Sequence, residues 1–173
     1  MLSISELLAA SSMWLAPMED VSDAPYRRIC CSVGAHVCVT EFVHADDLLG
    51  RSKRAHRKMS LGAEDGPTAI QIYGADADRL LDAARTAAAA GPAFIDINCG
   101  CWVPRVVGAG AGAAWLRNPD AVVAMPPPAP RTCPGSGEIG RAGNRGRPDL
   151  PPPSGRRDAR PAMGAVRVRM RRR

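Results

Sequence analysis

Residues 67–98, PTAIQIYGADADRLLDAARTAAAAGPAFIDIN, hold the pattern that decides the fold. Residues 67–73 (PTAIQIY) form a short apolar run with β-branched members, which predicts a buried strand. Residues 76–90 (DADRLLDAARTAAAA) put Leu80, Leu81 and Ala84 on one helical face, and Gly91 ends the helix. Residues 93–98 (AFIDIN) predict the next strand. The alternation continues outward. Residues 13–18 (MWLAPM) read as a strand, and Ser22 or Asp23 caps a helix over DAPYRRICCSVG, with Pro25 in its first turn and Gly34 as its stop. Residues 36–42 (HVCVTEF) are a further strand, residues 44–62 a polar, basic surface helix or loop, and residues 118–125 the start of another helix. Four β-then-α units in series predict a parallel sheet covered by helices. No Gly-x-Gly-x-x-Gly follows the first strand, so the start of a βα-barrel is favoured over a doubly wound dinucleotide-binding sheet. The expected fold class is α/β: the first four βα units of a TIM-type (β/α)8 barrel, followed by a disordered Pro/Arg/Gly-rich tail.

The chain has 173 residues and a formal charge of +6, but the charge is unevenly placed. Residues 1–125 carry 11 basic and 14 acidic side chains, whereas residues 126–173 carry 12 Arg, three acids, no Lys and no aromatic residue. Pro, Arg, Gly and Ala fill 34 of those last 48 positions, a mixture that buries too little apolar area to offset its ordering entropy. Two domains are therefore expected, a partial barrel over 1–125 and a disordered basic tail over 126–173. An Arg-rich tail can bind nucleic acid through phosphates. A GC-rich gene read out of frame gives the same mixture. A complete barrel needs roughly 200 residues or more, so the length excludes one. No run of about 18 apolar residues is present, so no membrane span is expected. Glu6 interrupts the apolar N-terminus and no basic segment precedes it, which argues against a signal peptide; the six Cys are then expected reduced, in the cytoplasm.

In a βα-barrel, reactive side chains sit at the C-terminal strand ends and in the loops that follow. That places Pro17 and Met18, Glu41, Gln71, and Asn98 to Cys101 on one rim. Each has a plainer alternative. Gln71, between Ile70 and Ile72, can be a polar group satisfied within the protein; Asn98 can simply fix its turn; Cys101 can be a small inert hydrophobe. Cys99 and Cys101 form a CxC pair with no partner pair at metal-ligand spacing, so no metal is expected. His44 and His56 lie in the basic stretch and read as solvated; RSKRAHRK (51–58) is either a solvated helix face or a phosphate contact.

LAPMEDVSDAPYRRIC, VTEFV, AIQIYG, and IDINCGC followed by GAGAGAAWLRNPD resemble, in order and spacing, the tRNA-dihydrouridine synthase family from about Leu15 to about Met125. The resemblance implies an FMN-dependent reductase that converts tRNA uridines to 5,6-dihydrouridine with NADPH as electron source. It implies that Cys101 protonates one carbon of the uracil double bond while the reduced flavin supplies hydride to its neighbour. An ordinary thiol, with pKa about 8.5, holds its proton at neutral pH, as a general acid must. By the same resemblance Ala16, Pro17 and Met18 line the flavin, Gln71 bonds the isoalloxazine edge, Asn98 lies near flavin and uracil, and the target base leaves its stack. The chain departs from the family at Trp102, where the family has Pro, and at Pro104-Arg105, where it has a basic pair. Trp115 also replaces a smaller aliphatic residue. The Lys, His and phosphate loops of the second half-barrel have no counterpart after Met125. Two alternatives stand beside the enzyme: an inactive half-barrel fragment, and a non-catalytic RNA-binding protein acting through its tail.

Overall fold

The computed structural model describes residues 13–62, 65–124, 138–140 and 165–171. In chain order these form α1 (Ala24–Ser32), β1 (Cys38–Val39), β2 (Val43–His44), α2 (Ala45–Leu49), α3 (Lys53–Lys58), β3 (Thr68–Tyr73), α4 (Ala77–Ala88), β4 (Ile95–Asn98), α5 (Pro104–Gly108), a 3-10 turn (Gly112–Arg117), α6 (Pro119–Ala124), β5 (Glu138–Gly140) and β6 (Ala165–Arg171). No helix among the described residues is long and apolar enough to cross a membrane.

β1 and β2 pair parallel with β3, and β3 pairs parallel with β4. Trp14 bridges Val37 in the same parallel sense. Strands therefore lie side by side in chain order, without the reversal that marks a doubly wound sheet. The first expected strand is reduced to that single bridge: Pro17 has no N–H to give a ladder. The second is broken in two. From Val39 to Val43 is four residues, but their partners Ala69 and Ile72 are three apart, so one extra residue is accommodated between them. This is a bulge. It reverses the alternation: Val39 shares a face with Ala69, whereas beyond it His44 rather than Val43 shares the face of Tyr73.

The two sheet faces differ. On the helix side, Ile70, Ile72, Ile95, Ile97 and Val43 pack with Leu80, Ala83, Ala84 and Ala87 of α4 and Leu48 of α2. The opposite face has an apolar floor of Val37, Val39, Ala69 and Phe94, with Trp14 against Phe94. Above that floor, toward the C-terminal strand ends, its side chains turn polar: Gln71, Asp96 and Asn98, all buried. Helix caps hold the crossovers in place. Asp23 accepts from the Tyr26 N–H and Asp76 from the Arg79 N–H.

Beyond β4 the expected disorder of residues 126–173 needs correcting in two places. Ala165–Arg171 pairs antiparallel with β4, and Glu138–Gly140 pairs antiparallel with β6. An open strand edge presents unpaired N–H and C=O groups, and a period-2 segment such as AVRVRM can satisfy them. The sheet is thereby mixed. The rest of 126–173 lies outside the described residues.

Burial sets the chemistry of two thiols. It pushes Cys38 up to about 12 and Cys99 up to about 11, from an ordinary value of 9.0. Below pH 9 folded and unfolded chains both keep these protons. Above it the unfolded chain loses them first, so stability falls as pH rises from 9 toward 11 and 12. The expected loss is on the order of 1 kcal/mol per thiol by pH 10. Urea midpoints at pH 8 and pH 10 measure it, and Cys38→Ala and Cys99→Ala should each flatten the decline.

Candidate active site at the C-terminal strand ends

Gln71 and Asp96 are direct partners across β3 and β4, and Asn98 lies one pleat beyond Asp96. The register joins them in a directed chain. The Gln71 amide Nε2 donates to Asp96 Oδ2 at 2.6 Å, and Asn98 Nδ2 donates to Gln71 Oε1 at 3.0 Å. Asn98 Oδ1 in turn accepts from the N–H groups of Gly100 (3.1 Å) and Cys101 (2.9 Å). The bulge feeds the same chain. Thr40 Oγ1 accepts from the Gln71 N–H at 3.2 Å while donating to the Glu41 carbonyl at 2.9 Å. A buried hydroxyl thus serves the ladder where the bulge withdraws a carbonyl.

The loop bearing Cys101 is fixed from behind. Its carbonyl accepts from the Ala113 N–H at 2.9 Å. Gly112, at φ +59, lies so close that a Cβ there would stand 2.6 Å from that carbonyl oxygen and 2.9 Å from Val106 Cγ1. The 3-10 turn is anchored to the neighbouring strand end by Trp115, whose indole Nε1 donates to the Gly74 carbonyl at 2.7 Å. Cys101 is half-exposed on this rim. Cys99 is buried in the helix-side core, so the CxC pair is split between two environments.

A second cluster lies at the end of the first strand. Glu41 Oε1 accepts from the Asp20 N–H at 2.8 Å and from Lys58 Nζ at 3.3 Å. Lys58 also pairs with Glu19, and Arg54 reaches Asp20 at 3.3 Å and Glu19 at 3.7 Å. Glu19, Asp20 and Glu41 could geometrically face one cation, but Lys58 and Arg54 already occupy that role. Met18 N–H donates to Ser22 Oγ, and the Met18 carbonyl accepts from the Ser22 N–H and hydroxyl. The loop from Met18 to Ser22 is thus a closed turn clipped to Glu41. Lys58 is 11% exposed and Arg54 is 63% exposed. Lys58→Met should therefore cost about 1 kcal/mol in thermal unfolding and Arg54→Met less than half of that.

Tyr73, at the end of β3, connects the clusters. Its ring packs edge-on against Phe42 and His44. Burial raises its hydroxyl above the ordinary value; Glu19, Asp47 and Cys101 push the same way and Arg105 opposes them.

A family model described as dihydrouridine synthase matches residues 14–126. The chain belongs to that family. A protein named tRNA-dihydrouridine synthase B from Pseudomonas aeruginosa is 39% identical over 110 residues, covering 64% of this chain and 33% of the relative. Its counterpart in Pseudomonas syringae pv. tomato is 38% identical over 104 residues (60% and 31%), and that in Xanthomonas campestris pv. campestris 34% over 121 (70% and 36%). The chain spans about a third of the length of the curated relatives it matches.

Within this dihydrouridine synthase region, Gln71, Asn98 and Cys101 are brought together as one bonded unit. Ala16 is exposed and Pro17 and Met18 are half-buried on the adjoining strand end, where the described hydrogen bonds of Met18 run to Val21 and Ser22. The solvated reading of His44 is corrected. It is half-buried, packs edge-on against Tyr73 and caps α2 through Nδ1, which accepts from the Asp46 N–H. RSKRAHRK is for the most part the exposed helix face expected of it, with Arg51, Lys53, Arg54, His56 and Arg57 exposed; Lys58 departs from that reading, being 11% exposed and paired with Glu41. Sequence reasoning passed over Thr40, Lys58, Tyr73, Asp96 and Gly112. Only Gly112 carried a local signal, the GAGAG repeat.

Proposed function

We propose that this chain carries the cysteine-loop part of a tRNA-dihydrouridine synthase site, binding FMN and reducing uridine to 5,6-dihydrouridine in cytoplasmic tRNA with NADPH as electron source. The bonded unit of Gln71, Asn98 and Cys101 at adjacent strand ends carries the proposal. It fits a flavin ring edge: after the bonds described, the Gln71 and Asn98 amides each retain an N–H, and Gln71 Oε1 a lone pair. In this reading Gln71 meets the pyrimidine edge of the ring and Ala16, Pro17 and Met18 flank it. FMN, once reduced, would supply the hydride.

The chain's own residues have the remaining tasks. Asn98 orients the loop that carries Cys101 by accepting two of its N–H groups. Cys101 Sγ–H delivers a proton to the uracil carbon next to the one receiving hydride. Trp115 and Gly112 hold the loop against displacement when a base enters. The phosphate of the cofactor has no cradle among these residues, and the relatives named tRNA-dihydrouridine synthase B support tRNA as the substrate.

The test is direct. The purified chain, given FMN, should become yellow, and with NADPH and unmodified tRNA should form dihydrouridine detectable by mass spectrometry of nucleosides. Cys101→Ser should lower the rate about a hundredfold, the usual weight of a positioned general acid. A colourless protein that binds no added FMN, or undiminished turnover in the serine variant, overturns the proposal.

A further inference from the structure

Trp102 follows Cys101 directly and is 71% exposed. Its neighbours Val103 (45%) and Leu116 (53%) are exposed as well. They belong to α5's approach and to the 3-10 turn, which pack together through Val106 and Gly112. Two exposed cations border them: Arg105 in the first turn of α5 and Arg117 at the end of the 3-10 turn. No acidic residue occurs from Ile97 to Pro119, although residues 1–125 as a whole are net acidic. The loop behind Trp102 is stiff, held by Asn98 Oδ1 and by the Ala113–Cys101 bond. An apolar ring presented on a rigid loop, in a segment that carries Arg105 and Arg117 and no acidic residue, has the composition of a stacking platform for unpaired nucleotides.

We propose that Trp102 stacks a base of single-stranded RNA beside the Cys101 loop, with Arg105 and Arg117 taking the flanking phosphates. The inference rests on the reading that a uridine leaves its stack to reach Cys101: the nucleotide next to it loses a neighbour, and the indole replaces that neighbour. Trp102 is then a positioning residue, with no part in proton or hydride transfer.

Binding of a short oligouridylate tests this in the 173-residue chain, followed by indole fluorescence. Polyphosphate, which has charge but no bases, serves as control. The wild-type protein should show saturable quenching with oligouridylate. Trp102→Phe should keep affinity within about threefold while losing most of the quenching, because Trp14 and Trp115 remain as background. Trp102→Ala should weaken oligouridylate about tenfold and leave polyphosphate unchanged. Equal oligouridylate affinity in wild type and Trp102→Ala, with quenching intact in Trp102→Phe, overturns the inference even if dihydrouridine is formed. Trp102-dependent oligouridylate binding by a chain that takes up no FMN upholds it while removing the flavin reading.

Discussion

Arg27→Met should destabilise the fold by about 3–5 kcal/mol. Arg27 is 1% exposed, and its guanidinium pairs with Asp65, itself 2% exposed, at 2.8 Å. It also donates to the carbonyls of Ser22 and Ser60 at 2.9 and 2.8 Å. One side chain thus joins α1, the Met18–Ser22 turn and the loop before β3. Removing it leaves a buried carboxylate whose other described donor is the Gly62 N–H, and two carbonyls without their donor. Such a loss is a large part of the 5–15 kcal/mol that holds a typical domain together. Asp65→Asn should cost less, since the guanidinium keeps both carbonyls. The double variant should be less unstable than the sum of the two singles. Urea denaturation at pH 7 measures all three; a loss below 1 kcal/mol in Arg27→Met would refute the role.

Asn98→Ala should cost about 2–3 kcal/mol and free the Cys101 loop. It strands the Gln71 Oε1 acceptor and removes the acceptor of two loop N–H groups. Each buried polar group left unmet costs about 1–3 kcal/mol, and the half-exposed loop recovers part of that through water. Asn98→Asp separates the two effects. It keeps the oxygen that holds Gly100 and Cys101 but gives nothing to Gln71, and it adds a carboxylate one pleat from Asp96. Alkylation of Cys101 by iodoacetamide should therefore quicken in Asn98→Ala and change less in Asn98→Asp, while both lower the urea midpoint. Equal labelling rates in wild type and Asn98→Ala would show that the loop is held by other means.

The unit from residue 67 to residue 98 was legible because strand, helix and strand there each follow one period without interruption. β3, α4 and β4 fall inside the ranges that the residues predict. The apolar run MWLAPM misled, since Pro17 has no N–H to carry the ladder past the Leu15–Val37 bond. The run HVCVTEF concealed its bulge because Val39 and Val43 are both apolar and both buried, though on opposite faces. Tertiary partners explain what stayed hidden at the site. Gln71 and Asn98 could be picked as strand-end amides, but their direct bond, and the one from Gln71 to Asp96, depend on the register of two strands. Nothing local separates buried Arg27 from exposed Arg28, and nothing in RSKRAHRK says that Lys58 will find Glu41.

The extra residue between Thr40 and Phe42 makes that segment a phase shifter rather than slack in the chain. Cutting one residue out would turn the last two side chains of the strand inside out. His44 would be driven into the layer of Leu48 and Leu80, Val43 would surface beside Tyr73, and α2 would lose the imidazole that begins it.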